Sequence, residues 1–289
     1  MNKMIKTVNY HIWKACNMRC KFCYATFQDI TTAQLPKGYL TKESSMKLIE
    51  LLSKEGFEKI NFAGGEPTLC PWLPELVIYA SSLGLRTSIV TNGWTILKSD
   101  RYLRRFEGKL DIVGLSIDSV DDSVNILSGR ANAGKTCISK SHYQFIANII
   151  KKEGIYLKIN TVVSATNVDE QLSDFINSIS PDRWKILQML PVKGQNDLYA
   201  QAFSVTSEEF DHYISTNHNS LNSQIRFVPE NHDAITGSYI MINPEGCFFD
   251  DTKGEHTNSS KILDIGVNAA LAQVTSSYDK FLMRGGEYN

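Results

Sequence analysis

The sequence has almost no net charge and no long apolar run. Its 30 lysines and arginines nearly balance its 31 aspartates and glutamates, which gives a net charge of −1. This balance excludes binding to nucleic acid or a membrane surface through bulk electrostatics. No apolar run approaches the ~20 residues of a membrane span, and residues 1–8 contain lysines but no apolar signal core. We therefore expect a cytoplasmic protein without a membrane or nucleic-acid partner.

Cysteine is scarce, with six residues in the chain. Cys70, Cys137 and Cys247 lie far apart, as is typical of small buried residues, so no auxiliary metal cluster is expected. The common zinc pattern needs a second short Cys or His pair, which is missing. Without a secretory signal, a disulfide framework is not expected either. A reducing compartment fits this usage of cysteine.

The other three cysteines, Cys16, Cys20 and Cys23, form a C-x3-C-x2-C motif. Three thiolates at this spacing can turn toward one point on a single tight loop. Iron–sulfur clusters are held by cysteine thiolates, usually four of them. Three ligands on one loop, with no fourth nearby, predict a [4Fe–4S] cluster with one open iron. A zinc site or purely structural cysteines are the alternatives.

Short strand-like runs alternate with helical patterns, which is the signal for βα units around a parallel sheet. We predict strands at residues 8–13, 59–62, 86–90, 110–117, 156–163 and 184–189, and helices at residues 41–52, 71–83, 139–152 and 206–215. Six strand–helix repeats favour an α/β fold, a partial (β/α)6 TIM-like barrel over residues 1–190. A C-terminal extension over residues 191–289, with β-like segments at 226–228 and 238–242, would cover the active site within the same structural unit.

Candidate ligand-binding motifs follow several of these strands directly. They are the cysteine loop, Gly64-Gly65-Glu66-Pro67, Thr91-Asn92-Gly93 and Asp118-Ser119. Parallel α/β folds bind ligands at the carboxyl ends of their strands, so the motifs predict one active site. Glycines let a backbone approach a ligand closely, and the guanidinium of Arg130 suits a carboxylate. On the residues alone, the glycine run could also be a plain turn and Arg130 a solvated loop residue.

Basic and polar residues also occupy the predicted strands. Lys158 and Asn160 stand two apart and so share one face, as do Arg183 and Lys185. Charges on barrel strands are costly to bury without a partner. Together with Lys59 they predict a polyanion site in the barrel, with a triphosphate as the obvious ligand. Arg284-Gly285-Gly286 would add donors from above.

The cysteine spacing and Gly-Gly-Glu-Pro together resemble the radical S-adenosylmethionine (SAM) enzymes, whose open iron chelates the amino and carboxylate groups of SAM. The resemblance implies a [4Fe–4S] cluster on Cys16, Cys20 and Cys23 and SAM as a second cofactor. Further SAM contacts are implied for Gly64, Gly65 and Glu66 (amino group), Ser116 and Arg130 (carboxylate), and Asn92 (nucleoside).

A wider set of segments, in order from about residue 8 to residue 288, resembles the viperins, a family of radical SAM enzymes. The segments are residues 9–11, 58–67, 158–160, 167–170, 183–188, 238–239, 262–267 and 284–286. The fit is to a prokaryotic member, because the membrane-binding N-terminal helix of the animal proteins is not seen. Ala63 departs from the serine of the animal enzymes, which removes the basis for a cofactor or substrate contact there.

Viperins convert CTP, and in prokaryotic members also UTP or GTP, to the 3′-deoxy-3′,4′-didehydro nucleotide, which terminates viral or phage RNA synthesis. The resemblance implies that a 5′-deoxyadenosyl radical removes the ribose C4′ hydrogen and that the 3′-hydroxyl leaves as water. It implies triphosphate binding by Lys59, Lys158, Asn160, Arg183, Lys185, Arg284 and Gly285. Tyr239 would deliver the final proton or hydrogen equivalent, unless it is simply a buried core tyrosine.

Asn9 and His11 are the candidates for reading the base. The resemblance also implies a one-electron reductant such as flavodoxin or ferredoxin, and we expect a monomer. Two other functions stay open. A radical SAM enzyme that modifies a peptide or RNA would often carry further cysteine clusters or recognition domains, which this sequence lacks. A non-catalytic iron–sulfur module would leave the Gly-Gly-Glu-Pro loop and the strand lysines unexplained.

Overall fold

The computed structural model describes residues 4–28 and 39–286, and within them one sheet of ten strands. The end of the stretch that resembles the viperins, residues 287 and 288, lies outside the described residues. The strands are β1 (Thr7–Trp13), β2 (Lys59–Gly64), β3 (Arg86–Thr91), β4 (Ile112–Ser116), β5 (Tyr156–Val163), β6 (Arg183–Gln188), β7 (Arg226–Glu230), β8 (Ile240–Ile242), β9 (Cys247–Asp250) and β10 (Thr257–Lys261).

Helices follow most of the strands. They are α1 (Lys42–Lys54), α2 (Leu73–Ser82), α3 (Trp94–Lys98), α4 (Asp122–Ser128), α5 (Lys140–Lys152), α6 (Ser173–Ile179), α7 (Asp197–Phe203), α8 (Ser207–His218), α9 (His232–Ile235), α10 (Ile262–Ile265), α11 (Val267–Leu271) and α12 (Tyr278–Met283). Side-chain caps fix several starts, as where Thr41 accepts a hydrogen bond from the Ser44 amide before α1. No helix of the described residues is long and apolar enough to span a bilayer.

The strand order is β10-β9-β8-β1-β2-β3-β4-β5-β6-β7. Each neighbouring pair from β8 through β1 to β7 is parallel, whereas β9 and β10 run antiparallel at one edge. The six predicted strands are thus confirmed as β1 to β6. The two β-like segments beyond residue 191 are β7 and β8, and they extend the same sheet at its opposite sides. Strands β9 and β10 were not predicted.

Alternating side chains divide each barrel strand into a core side and a cavity side. On β5, Leu157 and Ile159 are fully buried in the main apolar core, under the helices, while Lys158 and Asn160 line a cavity. On β1, Tyr10 packs in the same core and His11 faces the cavity. Because successive side chains on a strand point to opposite faces, one apolar–polar alternation builds both the core and a polar barrel interior.

Candidate functional site

A cavity of about 1110 Å³ opens at the carboxyl ends of the parallel strands and continues into the barrel. Most of the residues predicted for the site line it: Asn9, His11, Cys16, Cys20, Cys23, Lys59, Gly64, Gly65, Glu66, Asn92, Ser116, Arg130, Lys158, Asn160, Lys185, Tyr239 and Arg284. Arg183 and Gly285 are not among the lining residues. The fully buried guanidinium of Arg183 instead donates to the Gly285 carbonyl at 2.6 Å.

The cysteine loop follows β1 and is held by the C-terminal end of α4. The amide of Arg19 donates to the Gly129 carbonyl at 3.1 Å, and the amide of Lys21 donates to the Ser128 carbonyl at 2.9 Å. Gly129 has a left-handed backbone (φ +81°), and a Cβ there would lie 2.1 Å from the Arg19 carbonyl oxygen. The loop therefore needs glycine at position 129 to approach so closely.

The three loop thiols form a donor set that fits an iron–sulfur cluster. All three are free, and burial raises the pKa of each to about 11. Within residues 4–28 and 39–286, no three His, Cys, Asp or Glu side chains converge as ligands of a single ion. In a [4Fe–4S] cluster each thiolate binds a different iron. The three thiols therefore need not converge on one ion in order to hold a cluster. Cys16, Cys20 and Cys23 would hold such a cluster as thiolates, leaving one iron without a protein ligand from this loop.

Gly64 and Gly65 pack the end of β2 against the backbone that leads into the cysteine loop. A Cβ at Gly64 would lie 2.4 Å from the Trp13 carbonyl oxygen, and one at Gly65 would lie 2.3 Å from that of Ala15. The Gly65 and Glu66 amides donate to these same carbonyls at 2.5 and 2.9 Å. The need for glycine here follows from this chain packing; a contact with SAM stays a prediction.

The buried carboxylate of Glu66 joins the ends of β2 and β3. Its Oε1 accepts from the hydroxyls of Thr68 at 2.6 Å and Thr91 at 2.7 Å, and its Oε2 accepts from the Asn92 amide at 2.8 Å. Burial raises the pKa of Glu66, and these hydrogen bonds partly offset the rise. Oε2 has capacity for a further donor, which is compatible with the predicted contact to an amino group.

Asn92 and Arg130 are positioned by side chains beside the cysteine loop. Nδ2 of Asn92 donates to Asn17 Oδ1 at 2.8 Å, inside the C-x3-C motif, so Asn92 supports this loop directly. Nε of Arg130 forms a buried ion pair with Asp118, which also accepts from the Val162 amide at 2.9 Å. Asp118 therefore fixes the direction of the guanidinium. The role of Asn17 was not predicted, although its place between two predicted ligands was a usable signal.

Deeper in the barrel, buried basic residues of β2, β5 and β6 line the cavity. They are Lys59, Lys158 and Lys185, with Asn160 two residues beyond Lys158 on the same face of β5. Gly114 on β4 pairs with Lys158 on β5, and a Cβ at Gly114 would lie 2.9 Å from Lys158 Cε. Sequence reasoning missed Gly114, because only the β4–β5 register shows that it makes room for the lysine.

A buried carboxylate that was not predicted, Glu230 at the end of β7, lies among the cations. Its Oε1 is 2.7 Å from Lys185 Nζ and 3.4 Å from an Arg284 nitrogen, and its Oε2 accepts the phenol hydrogen of Tyr239. Burial alone would raise the pKa of Glu230, but Lys185 and Arg284 outweigh it and hold the pKa below its usual range. Continuing the predicted β-like segment 226–228 by two residues would have included it.

His11 lies on the opposite wall of the cavity, surrounded by aromatic rings. Its ring is 5.1 Å from that of Phe27 and 5.6 Å from that of Phe249, centroid to centroid. Burial lowers the pKa of His11 to about 3, so the ring is neutral at physiological pH. Neither ring nitrogen has a hydrogen-bond partner in the part of the chain that the structure describes. Asn9 meets Asn61 instead, accepting at 2.9 Å.

Comparison with known proteins agrees with this geometry. The model of a family described as the Radical SAM superfamily matches residues 10–179. A solved structure, native anSMEcpe with bound AdoMet and Kp18Cys peptide, has a TM-score of 0.68 over 92% of this chain and 80% of its own, at 15% sequence identity. It shows a shared fold, and with the family match it confirms the predicted partial barrel.

Two relatives bear the same name, S-adenosylmethionine-dependent nucleotide dehydratase. The protein of Lacinutrix mariniflava is 46% identical over 285 residues, 99% of this chain; the chain spans 59% of that relative's length. The protein of Flammeovirga pacifica is 42% identical over 287 residues, which cover 99% of this chain and 97% of its own. The chain therefore belongs to the radical SAM superfamily and, within it, to the viperin-like S-adenosylmethionine-dependent nucleotide dehydratases.

Proposed function

We propose that the protein dehydrates a ribonucleoside triphosphate to its 3′-deoxy-3′,4′-didehydro analogue, with CTP as the first candidate and UTP or GTP as alternatives. One observation carries the proposal: the three-thiol loop and the lysines of β2, β5 and β6 line the same cavity. Lys59 begins β2 and Gly64 ends it, so about 17 Å of strand separates the cationic part from the loop that supports the cysteines. A nucleotide whose phosphates bind the lysines would place its ribose between the lysines and the cysteine loop.

The charges in the barrel favour a polyanionic ligand. Lys59, Lys158 and Lys185 are each no more than 7% exposed, and Arg284 lies beside Lys185 on the same wall. Buried cations are costly unless anionic or hydrogen-bonding groups meet them. A triphosphate supplies several negatively charged oxygens at once, whereas the carbonyl oxygens of a peptide backbone are neutral. We therefore assign the phosphates to this end, with Asn160 as a further donor.

His11 and its surround suit the nucleobase. The aromatic rings around His11 offer apolar contact to a base, and neutral imidazole has one donor and one acceptor nitrogen for the base edge. Buried polar atoms normally have partners, so the two ring nitrogens of His11 and the Asn61 Oδ1, which lack one among the described residues, point to a polar ligand. We assign the base to His11 and Asn9.

Enzymes of this family use a [4Fe–4S] cluster and SAM, which together supply a 5′-deoxyadenosyl radical that can take the ribose C4′ hydrogen. The residues of this chain would bind and orient. Glu66, Ser116 and Arg130 hold SAM above the strands, and the lysines fix the phosphates below. Tyr239, on the wall beside Lys185, gives its proton to the 3′-hydroxyl, which leaves as water, and one electron from the reductant then completes the 3′,4′-didehydro product.

The test is anaerobic incubation of the reconstituted, reduced protein with SAM and each of CTP, UTP, GTP and ATP, or none. We expect 5′-deoxyadenosine formation to depend on the nucleotide, with a product that has lost one water. Nucleotide-independent SAM cleavage with no dehydrated product would refute the proposal, and a peptide- or RNA-dependent rate would favour the other radical SAM function. Cys20→Ala is the control, since it lacks one cluster ligand.

The wider role is part of the same proposal. The product would act as a chain terminator of viral or phage RNA synthesis, and a flavodoxin or ferredoxin would supply the electron. We also propose a monomer in a reducing, cytoplasmic compartment, where the free thiols at Cys16, Cys20 and Cys23 can take up iron. Sedimentation of the loaded protein tests the oligomeric state, and reduction by purified flavodoxin tests the donor.

A further inference from the structure

One buried group directly behind the cavity wall has no part in the function proposed above. Glu230 is fully buried, and both of its carboxylate oxygens accept hydrogen bonds from polar residues that line the cavity. Oε1 meets the cations of Lys185 at 2.7 Å and Arg284 at 3.4 Å, and Oε2 meets the hydroxyl of Tyr239. Lys185 also donates to the Tyr239 oxygen, so the four side chains form one network.

The network fixes the direction of the Tyr239 hydroxyl. The phenol oxygen accepts from Lys185, which has only donors, and therefore its hydrogen must point to the carboxylate of Glu230. The guanidinium of Arg284 lies 3.7 Å from the centre of the Tyr239 ring and donates to the Ser238 carbonyl at 3.0 Å, which holds the ring from its face. Both the position of the ring and the orientation of its hydroxyl thus depend on side chains that meet Glu230.

We propose that Glu230 is a positioning residue, which holds the Tyr239 hydroxyl in its place at the cavity and ties it to the two cations that receive the phosphates. The inference rests on the proposed function, in which Tyr239 delivers the proton that leaves with the 3′-hydroxyl, and Lys185 and Arg284 bind the triphosphate. When phosphate oxygens engage the cations, Glu230 loses part of its counter-charge while it still holds the phenol. Nucleotide binding and the state of Tyr239 are therefore linked through one carboxylate.

Glu230→Gln breaks this link in a defined way. A glutamine accepts on one oxygen only, and its amide nitrogen must face either the cations or the phenol. If the oxygen keeps Lys185 and Arg284, the amide faces Tyr239 and the hydroxyl has to turn away. The substitution also removes one negative charge from behind the cations of the wall, which favours polyanion binding. The inference thus predicts poorer proton delivery by Tyr239 together with unimpaired phosphate binding, which simple loss of structure would not produce.

The experiment uses the full-length protein with Glu230→Gln, Glu230→Asp and the control Glu170→Gln. Glu170 is a partly buried carboxylate that accepts from the Val120 amide at 3.1 Å and does not line the cavity. Two quantities are measured: dehydrated nucleotide formed per 5′-deoxyadenosine in the loaded enzyme, and the affinity of the cluster-free protein for inorganic tripolyphosphate by calorimetry. Iron content is recorded for each variant.

For Glu230→Gln we expect the product ratio to fall about tenfold or more, tripolyphosphate to bind as tightly as in the wild type or more tightly, and iron content to be unchanged. Glu230→Asp keeps the charge but reaches less far, so it should lower the product ratio with wild-type tripolyphosphate affinity. An unchanged ratio in Glu230→Gln overturns the inference. A joint loss of iron and tripolyphosphate binding, or the same fall in Glu170→Gln, also overturns it, because either result indicates a general structural effect.

The experiment can refute the proposed function and the inference about Glu230 separately. If the wild type forms no dehydrated nucleotide, the proposed function fails, and the tripolyphosphate measurements alone judge Glu230. Weaker binding by Glu230→Gln than by the wild type, or no binding by either, then overturns its assignment to the cations. Tighter binding by Glu230→Gln, with Glu170→Gln unchanged, supports that assignment.

Discussion

The carboxylate of Glu66 accepts a hydrogen bond from the amide of Asn92 at 2.8 Å, and the side chain of Asn92 in turn donates to Asn17, which lies between Cys16 and Cys20. One buried carboxylate at the end of β2 therefore supports the cysteine loop through the end of β3. The proposed SAM contacts and the proposed cluster ligands are parts of one hydrogen-bonded structure.

Glu66→Gln is expected to weaken the fold and SAM binding together. All the donors around Glu66 point at oxygen, so a glutamine must turn its amide nitrogen toward either the Asn92 amide or the hydroxyls of Thr68 and Thr91. One mismatched buried hydrogen bond costs about 1–3 kcal/mol of unfolding free energy. Denaturant unfolding of the cluster-free protein and calorimetry of SAM binding to the loaded protein measure the two effects.

Glu75→Gln is the control for that substitution. Glu75 pairs with Lys42 at 2.7 Å on exposed parts of α2 and α1, where such pairs are worth about 0–1 kcal/mol. Equal losses of stability in the two variants would contradict the role given to Glu66.

Gly65→Ala should prevent cluster assembly while leaving most of the barrel folded. The new Cβ would lie 2.3 Å from the Ala15 carbonyl oxygen, so the backbone leading to Cys16 must move. Gly154→Ala is the control: it also adds a methyl group, but nothing lies within 4 Å, and only its left-handed backbone (φ +72°) is strained, at about 1–2 kcal/mol. Iron and sulfide content after reconstitution is the measurement. Normal iron in Gly65→Ala would show that this contact can relax without cost.

The sequence was most informative where function and local pattern coincide. The cysteine loop, Gly64-Gly65-Glu66 and the bounds of β5 were predicted from short-range spacing, and the structure places the motifs around one cavity. Gly114 and Glu230 were missed for a different reason. Each acts on a residue of a neighbouring strand, Gly114 on Lys158 and Glu230 on Lys185. Local periodicity does not show which residues of two distant segments are paired in the sheet. Likewise, β9 and β10 are short edge strands whose pairing depends on β8.

Lys158→Ala should separate substrate binding from cofactor binding. The side chain is buried on β5 and lines the barrel end of the cavity, away from the cysteine loop. Loss of one charged phosphate contact costs about 1.5–3 kcal/mol, or roughly 10- to 150-fold in affinity. We expect wild-type iron content and SAM binding with a raised KM for CTP. Lys185→Ala should likewise raise the KM for CTP and keep the iron. If CMP reacted as fast as CTP, the phosphate assignment would be wrong.

Cys20→Ala, in contrast, should lose the iron–sulfur absorbance and all SAM cleavage.

Acid should remove a stabilising contribution of Glu230. Its pKa is held below the usual value because the favourable charges of Lys185 and Arg284 exceed the cost of burial. A carboxyl with a lowered folded-state pKa stabilises the fold above its unfolded pKa of about 4.3, and this stability is lost as the pH falls through the folded value. The difference in unfolding free energy between wild type and Glu230→Gln should thus be constant near neutral pH and shrink below about pH 4. A difference that grows with acidification would reverse the sign of the argument.

His11 provides the last prediction, which concerns base selection. Its ring is 3% exposed, and burial lowers its pKa to about 3, so it stays neutral across the working range and offers one donor and one acceptor. His11→Phe keeps a planar ring between Phe27 and Phe249 but removes both nitrogens. We expect the preference among CTP, UTP and GTP, measured as ratios of kcat/KM, to fall by about tenfold or more, because a base edge would lose its hydrogen bonds. The same ratios in the wild type should not change between pH 6 and pH 8 if the neutral ring reads the base; a titration of the preference within that interval would mean that His11 is charged when substrate binds, or that another group makes the selection.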